Sequence, residues 1–226
     1  MQLLRDVVVL ALDEMRRDGA RRWLRLAVSG LAGDVRPGQT VFFSEDGRHA
    51  PRCRIATVET ASSDTAALVA KFEPDDLAPD AGDALTVWSN ETPAVSVGSG
   101  SLVVTTRPFL YRIAPFEQCG ATLLVEGDGI DLWDELRNGL TEGRDWSSVF
   151  LALEPARLQA FAAAFPGANP YIFASMDMSC GIGACRSCHV NVKDSKDGEA
   201  SCRLGPWFAL ERVDLVRLRF ASAPFI

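Results

Sequence analysis

The chain has 226 residues, is 47% hydrophobic and 23% charged, and carries a formal net charge of −7. That is apolar material for a real core, and the acidic balance argues against nucleic acid or an anionic membrane surface as partner. The longest apolar run near the start, Val7 to Leu12, is far too short to span a bilayer and is followed by Asp13 and Glu14, so a soluble cytoplasmic protein with no membrane contact is expected.

From the start to about Glu91 the pattern is β. Arg22 to Val28 alternates, with Leu24, Leu26 and Val28 on one face; Pro37-Gly38 is a turn and Thr40 to Phe43 a short strand. Arg54 to Thr60, Ala67 to Phe72 and Ala84 to Trp88 continue the series between Pro, Gly and Asp clusters. Short strands at this spacing predict a small antiparallel barrel or sandwich. Ser101 to Thr106 reads as a further strand, followed by Arg107-Pro108-Phe109-Leu110-Tyr111.

From Ala121 the period changes. Thr122 to Val125 reads as a buried strand, and Ile130, Trp133, Leu136 and Leu140 recur at helical spacing. Val149 to Leu153 is a second strand. Pro155 then opens a helix where a missing amide costs little, with Leu158, Phe161, Ala162 and Phe165 facing the core; Gly167 and Pro170 end it before a third strand, Tyr171 to Ala174. Strands alternating with helices predict a small parallel sheet. Cys53 and Cys119 read as small buried fillers, and the two histidines, His49 and His189, leave few candidates for a histidine base.

The remaining four cysteines fall close together. Cys180, Cys185, Cys188 and Cys202 are spaced C-x4-C-x2-C-x13-C, the first three on a loop too glycine-rich for a helix or strand. A cluster of two irons bridged by two sulfides needs four thiolates, and C-x4-C-x2-C is the plant-type 2Fe-2S spacing. Gly181 and Gly183 suit a loop wrapped around an inorganic core, and Arg186 and Arg203 are placed to offset its negative charge. His189 to Lys193 alternates and Asp197-Gly198 is a turn signal, so a short hairpin is expected to return Cys202 beside Cys185 and Cys188. Three other readings stay open. Zinc usually takes two C-x2-C knuckles or a His pair; disulfides suit a secreted chain. Cys185-Arg-Ser-Cys188-His189 matches a c-type haem attachment string, which leaves Cys180 and Cys202 without a role.

With that loop in hand, the tail resembles the electron-transfer subunit of the heterotetrameric, class 1B dihydroorotate dehydrogenases, built like ferredoxin reductase with a cluster domain appended. The match lies in Met178 to Cys188 and in Cys202-Arg-Leu-Gly205-Pro206-Trp-Phe208, where the family carries Gly-Pro-x-Phe. Val149 to Phe165 looks like the family's strand and Glu-Pro helix, and Arg36 to Gln39 like its first barrel turn. The family holds its flavin with Arg-Pro-x-Ser; here Arg52-Cys53-Arg54-Ile55 keeps an arginine and loses the rest, while Arg107-Pro108-Phe109-Leu110 lies past the barrel and lacks the hydroxyl. Arg52 and Arg107 are thus the candidate flavin contacts, and FAD is in doubt. The family's glycine-rich nicotinamide loop corresponds to Glu126-Gly127-Asp128-Gly129, whose carboxylates oppose a pyrophosphate, so NAD(P)H is not expected.

The expectation is therefore a reductase-like β-barrel over 1–95, a shortened α/β domain over 96–175 and a 2Fe-2S domain over 176–226, ligated by Cys180, Cys185, Cys188 and Cys202. Such a chain relays single electrons to or from a catalytic oxidoreductase partner, such as a flavoprotein, in a hetero-oligomer. The alternatives are a complete flavin- and NAD(P)H-using reductase subunit and a zinc-stabilised assembly module.

Overall fold

The computed structural model describes residues 3–18, 21–31, 33–44, 53–72, 74–89, 97–106, 109, 113, 120–127, 131–141, 146–174, 180–185 and 188–218. Six strands, β1 (Leu3–Asp18), β2 (Arg21–Ser29), β3 (Thr40–Ser44), β4 (Arg54–Ala61), β5 (Thr65–Phe72) and β6 (Ala84–Ser89), close into an antiparallel barrel of order β1-β2-β5-β4-β3-β6. Alternation decides which side chains fill it: Leu24, Leu26 and Val28, Val41 and Phe43, Ala56 and Val58, Leu68 and Phe72, and Leu85 and Val87 point inward and form one core. Each such large side chain taken out of water contributes about 1.5–3 kcal/mol. The long first strand is the element that periodicity hides. Val7 and Val9 are buried while Val8 and Leu10 are exposed, but all four are apolar, so the inward and outward positions look alike in the sequence.

The outer wall of the barrel is used too. Phe42 pairs across the ladder with Ile55 on one side and Trp88 on the other, so these three share the face opposite to Val41, Phe43 and Val87. They pack into a second core together with the C-terminal part of the chain.

A five-stranded sheet follows, of order β13-β10-β9-β7-β8, built from β7 (Ser101–Thr106), β8 (Thr122–Glu126), β9 (Ser148–Ala152), β10 (Tyr171–Phe173) and β13 (Trp207–Ala209). The pairs β7·β8, β7·β9 and β9·β10 are parallel and β10·β13 is antiparallel. Both faces are covered, as a parallel sheet requires: Leu102, Val104, Leu151 and Ile172 face the barrel-side core, and Val103, Phe150, Phe173 and Trp207 the other. Helix α1 (Leu132–Thr141) starts where the Asp131 carboxylate accepts the amides of Trp133 and Asp134, and α2 (Pro155–Ala164) starts at Pro155.

One strand assignment is corrected. The first strand of this sheet is β7, which lies between β8 and β9, and β8 is its second strand, at the sheet edge. The Glu126–Gly129 turn therefore follows the second strand, not the first; the segment after the first begins at Arg107. Arg107, Asp128 and Gly129 lie outside the described residues, as do Arg52, His49, Cys119 and Arg186.

Beyond the sheet the chain runs through the cysteine loop into the hairpin β11 (His189–Val190) and β12 (Glu199–Ala200), then the single turn α3 (Ser201–Leu204). Among the described residues no helix is long and apolar enough to cross a membrane.

Candidate metal centre

The hairpin does what its alternation and turn signal predict for Cys188. Its two short strands bring Cys202 back so that its amide donates to Cys188 Sγ at 3.4 Å, while the Ser201 amide donates to the Cys188 carbonyl at 2.8 Å. The four thiols then form two pairs. Cys180 and Cys185 contact one another through their side chains, and so do Cys188 and Cys202. Among the described residues no three Cys, His, Asp or Glu side chains gather round one point as a mononuclear ion demands. Two pairs suit two irons, each taking two thiolates, whereas tetrahedral zinc needs all four at one centre.

Backbone donors prepare these sulfurs for negative charge. Burial works to raise the Cys180 thiol, but amides of Cys185, Ile182 and Ala184 and the Cys185 thiol outweigh it and bring Cys180 down to about 7. The Cys202 thiol, acting against burial and joined by the amides of Cys202 and Ser201, brings Cys188 down to about 6. Cys202 is correspondingly held up, by Cys188 first and burial second, so this pair ionises at Cys188. Donor set, pairing and amide placement all fit a thiolate-ligated iron–sulfur cluster.

Two glycines allow the loop to sit where it does. Gly181 has φ +63° and lies flat on the barrel's outer wall: a Cβ there would stand 2.8 Å from Phe42 Cγ and 2.9 Å from Trp88 Nε1. Those two rings are stacked, with centroids 6.1 Å apart. Gly183, at φ +82°, is crossed by the aliphatic stem of Arg203, which any Cβ would overlap. Burial is uneven across the site: Cys188 and Cys202 are buried, Cys180 is half-buried and Cys185 is exposed.

Cys53 is buried, as expected of a small core filler. It lies in the same core as Cys188 and Cys202, its thiol pushed up to about 12 by burial and then by the charges of Cys180, Cys185 and Cys188. Periodicity could place Phe42 and Trp88 outward but could not say what they met.

Of the candidate flavin segment 52–55, Arg52 lies outside the described residues. Arg54 is committed to Asp76 at 2.6 Å and to the Phe72 ring at 4.7 Å, Cys53 is buried, and Ile55 packs on the core beneath the cluster loop.

Barrel and parallel sheet define a ferredoxin-reductase-like fold, and the paired thiols mark a cysteine-rich domain that follows them. That domain is of one particular kind: residues 176–214 match the family described as the iron-sulfur cluster binding domain of dihydroorotate dehydrogenase B. In fold, the chain is similar to one from the structure "Insights into flavin-based electron bifurcation via the NADH-dependent reduced ferredoxin-NADP oxidoreductase structure", at 16% identity and a TM-score of 0.64, covering 93% of this chain and 90% of that one. A more distant likeness is to the ferredoxin reductase in carbazole 1,9a-dioxygenase, at 10% identity and a TM-score of 0.47, covering 72% of this chain and 64% of that one. Among curated proteins no sequence match is found.

Proposed function

We propose that this chain is a one-electron relay subunit in which Cys180, Cys185, Cys188 and Cys202 hold a 2Fe-2S cluster serving a catalytic oxidoreductase partner, in a cytoplasmic hetero-oligomer. The observation that carries this is the two-plus-two arrangement of thiols, each pair supplied with backbone amides. When bound, the cluster supplies reversible uptake of a single electron. The chain's own groups do the rest. Amides of Ile182, Ala184 and Cys185 stabilise charge on Cys180 sulfur, and those of Cys202 and Ser201 on Cys188. Phe42 and Trp88 wall the loop off from water on the barrel side.

The arrangement of the second sheet supports a relay without a nicotinamide. In an open α/β sheet a dinucleotide binds outside the carboxyl ends of the strands, where the strand order reverses. Here those ends carry Glu126, ion-paired to Arg157, and Glu154, which accepts from Thr106 Oγ1 at 3.2 Å. Carboxylates at that crevice repel a pyrophosphate and occupy the nearby cation.

Anaerobic purification, with iron, zinc and flavin assays and a visible spectrum, tests the reading. About two irons per chain, a red-brown colour and loss of both in Cys185→Ser are expected. Zinc without iron would overturn it. The second reading, a complete flavin-containing reductase subunit, draws on the near-full mutual coverage with a chain of a flavin-based electron-bifurcating oxidoreductase. It requires Arg52 or Arg107 to grip the flavin, and stoichiometric flavin release on denaturation with reduction by NADH would establish it.

A further inference from the structure

The site has a closed side and an open one. On the closed side, Cys188 is 1% and Cys202 3% exposed, within a core that also contains Phe42, Cys53 and Trp88. The open side is the Cys185 edge. Around it the chain shows Ile182 and Leu204, two of the seven large hydrophobic side chains exposed among the described residues. Between these apolar groups lies Arg203, also exposed, its stem laid across Gly183 so that the guanidinium projects from the loop. Arg25, Arg54, Arg157 and Arg212 each have a carboxylate partner; among the described residues Arg203 has none. A side chain whose stem is fixed by packing loses little further entropy when it binds a carboxylate. In a chain of net charge −7, this is a local cation beside exposed apolar side chains, on the loop that carries the one exposed thiol among the described residues.

We infer that the face formed by Ile182, Ala184, Cys185, Arg203 and Leu204 is the electron-exchange surface, and that it docks a one-electron carrier protein presenting a carboxylate to Arg203 inside an apolar contact. The inference rests on the relay reading and adds where the partner sits and what its contact looks like. One electron passes between the reduced chain and the oxidised carrier, which is reduced by one electron in turn. The apolar rim excludes water from the Arg203 ion pair and strengthens it.

The probe is flavodoxin, an acidic one-electron carrier, titrated calorimetrically at low salt into the oxidised, iron-loaded chain; this reads binding with no electron flow. Saturable binding is expected. Arg203→Gln, which keeps a stem and loses the charge, weakens it about fivefold, and Arg203→Glu about tenfold or more. Leu204→Asp acts in the same direction, and Arg36→Glu on the barrel turn leaves the affinity within about twofold. The surface assignment is overturned by absence of binding, by equal effects of Arg203→Glu and Arg36→Glu, or by tighter binding of basic cytochrome c that is indifferent to Arg203. Iron content and visible spectrum on each sample separate the two claims: a chain without iron sinks the relay itself, whereas an intact spectrum with indifferent binding sinks only the surface.

Discussion

The barrel and the cysteine lobe are held in different ways. The barrel's six strands pair with one another all the way round, and its core residues Leu26, Val28, Val41, Phe43, Val58, Leu68, Phe72 and Val87 are wholly buried. Apart from β13, which belongs to the sheet, the lobe has among the described residues two strands of two residues, one helix of four and one 3-10 turn of three, too little regular structure to be stable by itself. Its fixed points are borrowed: Gly181 on Phe42 and Trp88, Ala174 N–H on the Pro206 carbonyl at 2.8 Å, and Leu210 N–H on the Pro170 carbonyl at 2.9 Å. What is left for a metal to do is to tie the two thiol pairs together. Free energy of metal binding is then free energy of folding for the lobe and not for the barrel.

The largest expected effect follows from that. Removing the iron, or making Cys188→Ser, should open the lobe while the barrel stays folded. Limited proteolysis should cut within 180–218 in the iron-free protein and leave an N-terminal fragment that melts cooperatively at nearly the original temperature. If barrel and lobe melt together at a much lower temperature after iron removal, the two regions are not separately held.

Two adjacent phenylalanines offer a finer test, because alternation sends them to different regions. Phe43 fills the barrel core and Phe42 faces the cluster loop. Truncating a buried Phe costs about 3–5 kcal/mol, so both Phe43→Ala and Phe42→Ala should lower global stability in denaturant titrations. Only Phe42→Ala should also speed loss of the visible chromophore under native conditions. Equal bleaching rates in the two variants would show that the loop does not depend on its seat.

Much of this architecture was open to reading from the chain. Short β-rich runs between Pro, Gly and Asp clusters place β2 to β6 within a residue or two, and cysteine spacing singles out the four thiols as candidates because ligand geometry restricts it. The pairing of those thiols was not legible, since it depends on how the loop folds back. Nor was the contact between Gly181 and the Phe42–Trp88 stack, which joins segments far apart in the chain. The nicotinamide-loop assignment differs for a related reason: Ser101 to Thr106 reads as one further strand after the barrel series, and only its parallel partners β8 and β9 reveal it as the first strand of the second sheet.

Gly181 separates strain from contact. Gly181→Ala places a Cβ against Phe42 and Trp88 at φ +63°, whereas Gly33→Ala, at φ +79°, meets nothing within 4 Å. Left-handed backbone alone costs about 1 kcal/mol for an alanine. Gly33→Ala should show that cost and no change in the cluster. Gly181→Ala should exceed it by about 1–2 kcal/mol of steric cost and should weaken iron retention as well. Similar stability and retention in both variants would mean that the loop moves aside freely, and the barrel is then no wall for it.

The smallest effect concerns the one ion pair inside the lobe among the described residues. Arg212 reaches Glu199 Oε1 at 2.6 Å, joining the turn after β13 to β12, while Glu199 Oε2 is buried with no hydrogen-bond partner. The arginine is nearly half exposed, so water and salt screen the attraction, and Arg212→Ala should cost no more than about 1 kcal/mol, a fall in melting temperature of about 2–4 °C. Lys193 keeps its bond to the Arg212 carbonyl in that variant, so the loss is electrostatic only. Glu199→Gln removes the charge while retaining one acceptor for Arg212, and it should cost about as little as Arg212→Ala. A much larger drop for Arg212→Ala, insensitive to 1 M salt, would mean that this pair rather than the metal holds the lobe together, and the contrast with the self-supporting barrel would lose its physical basis.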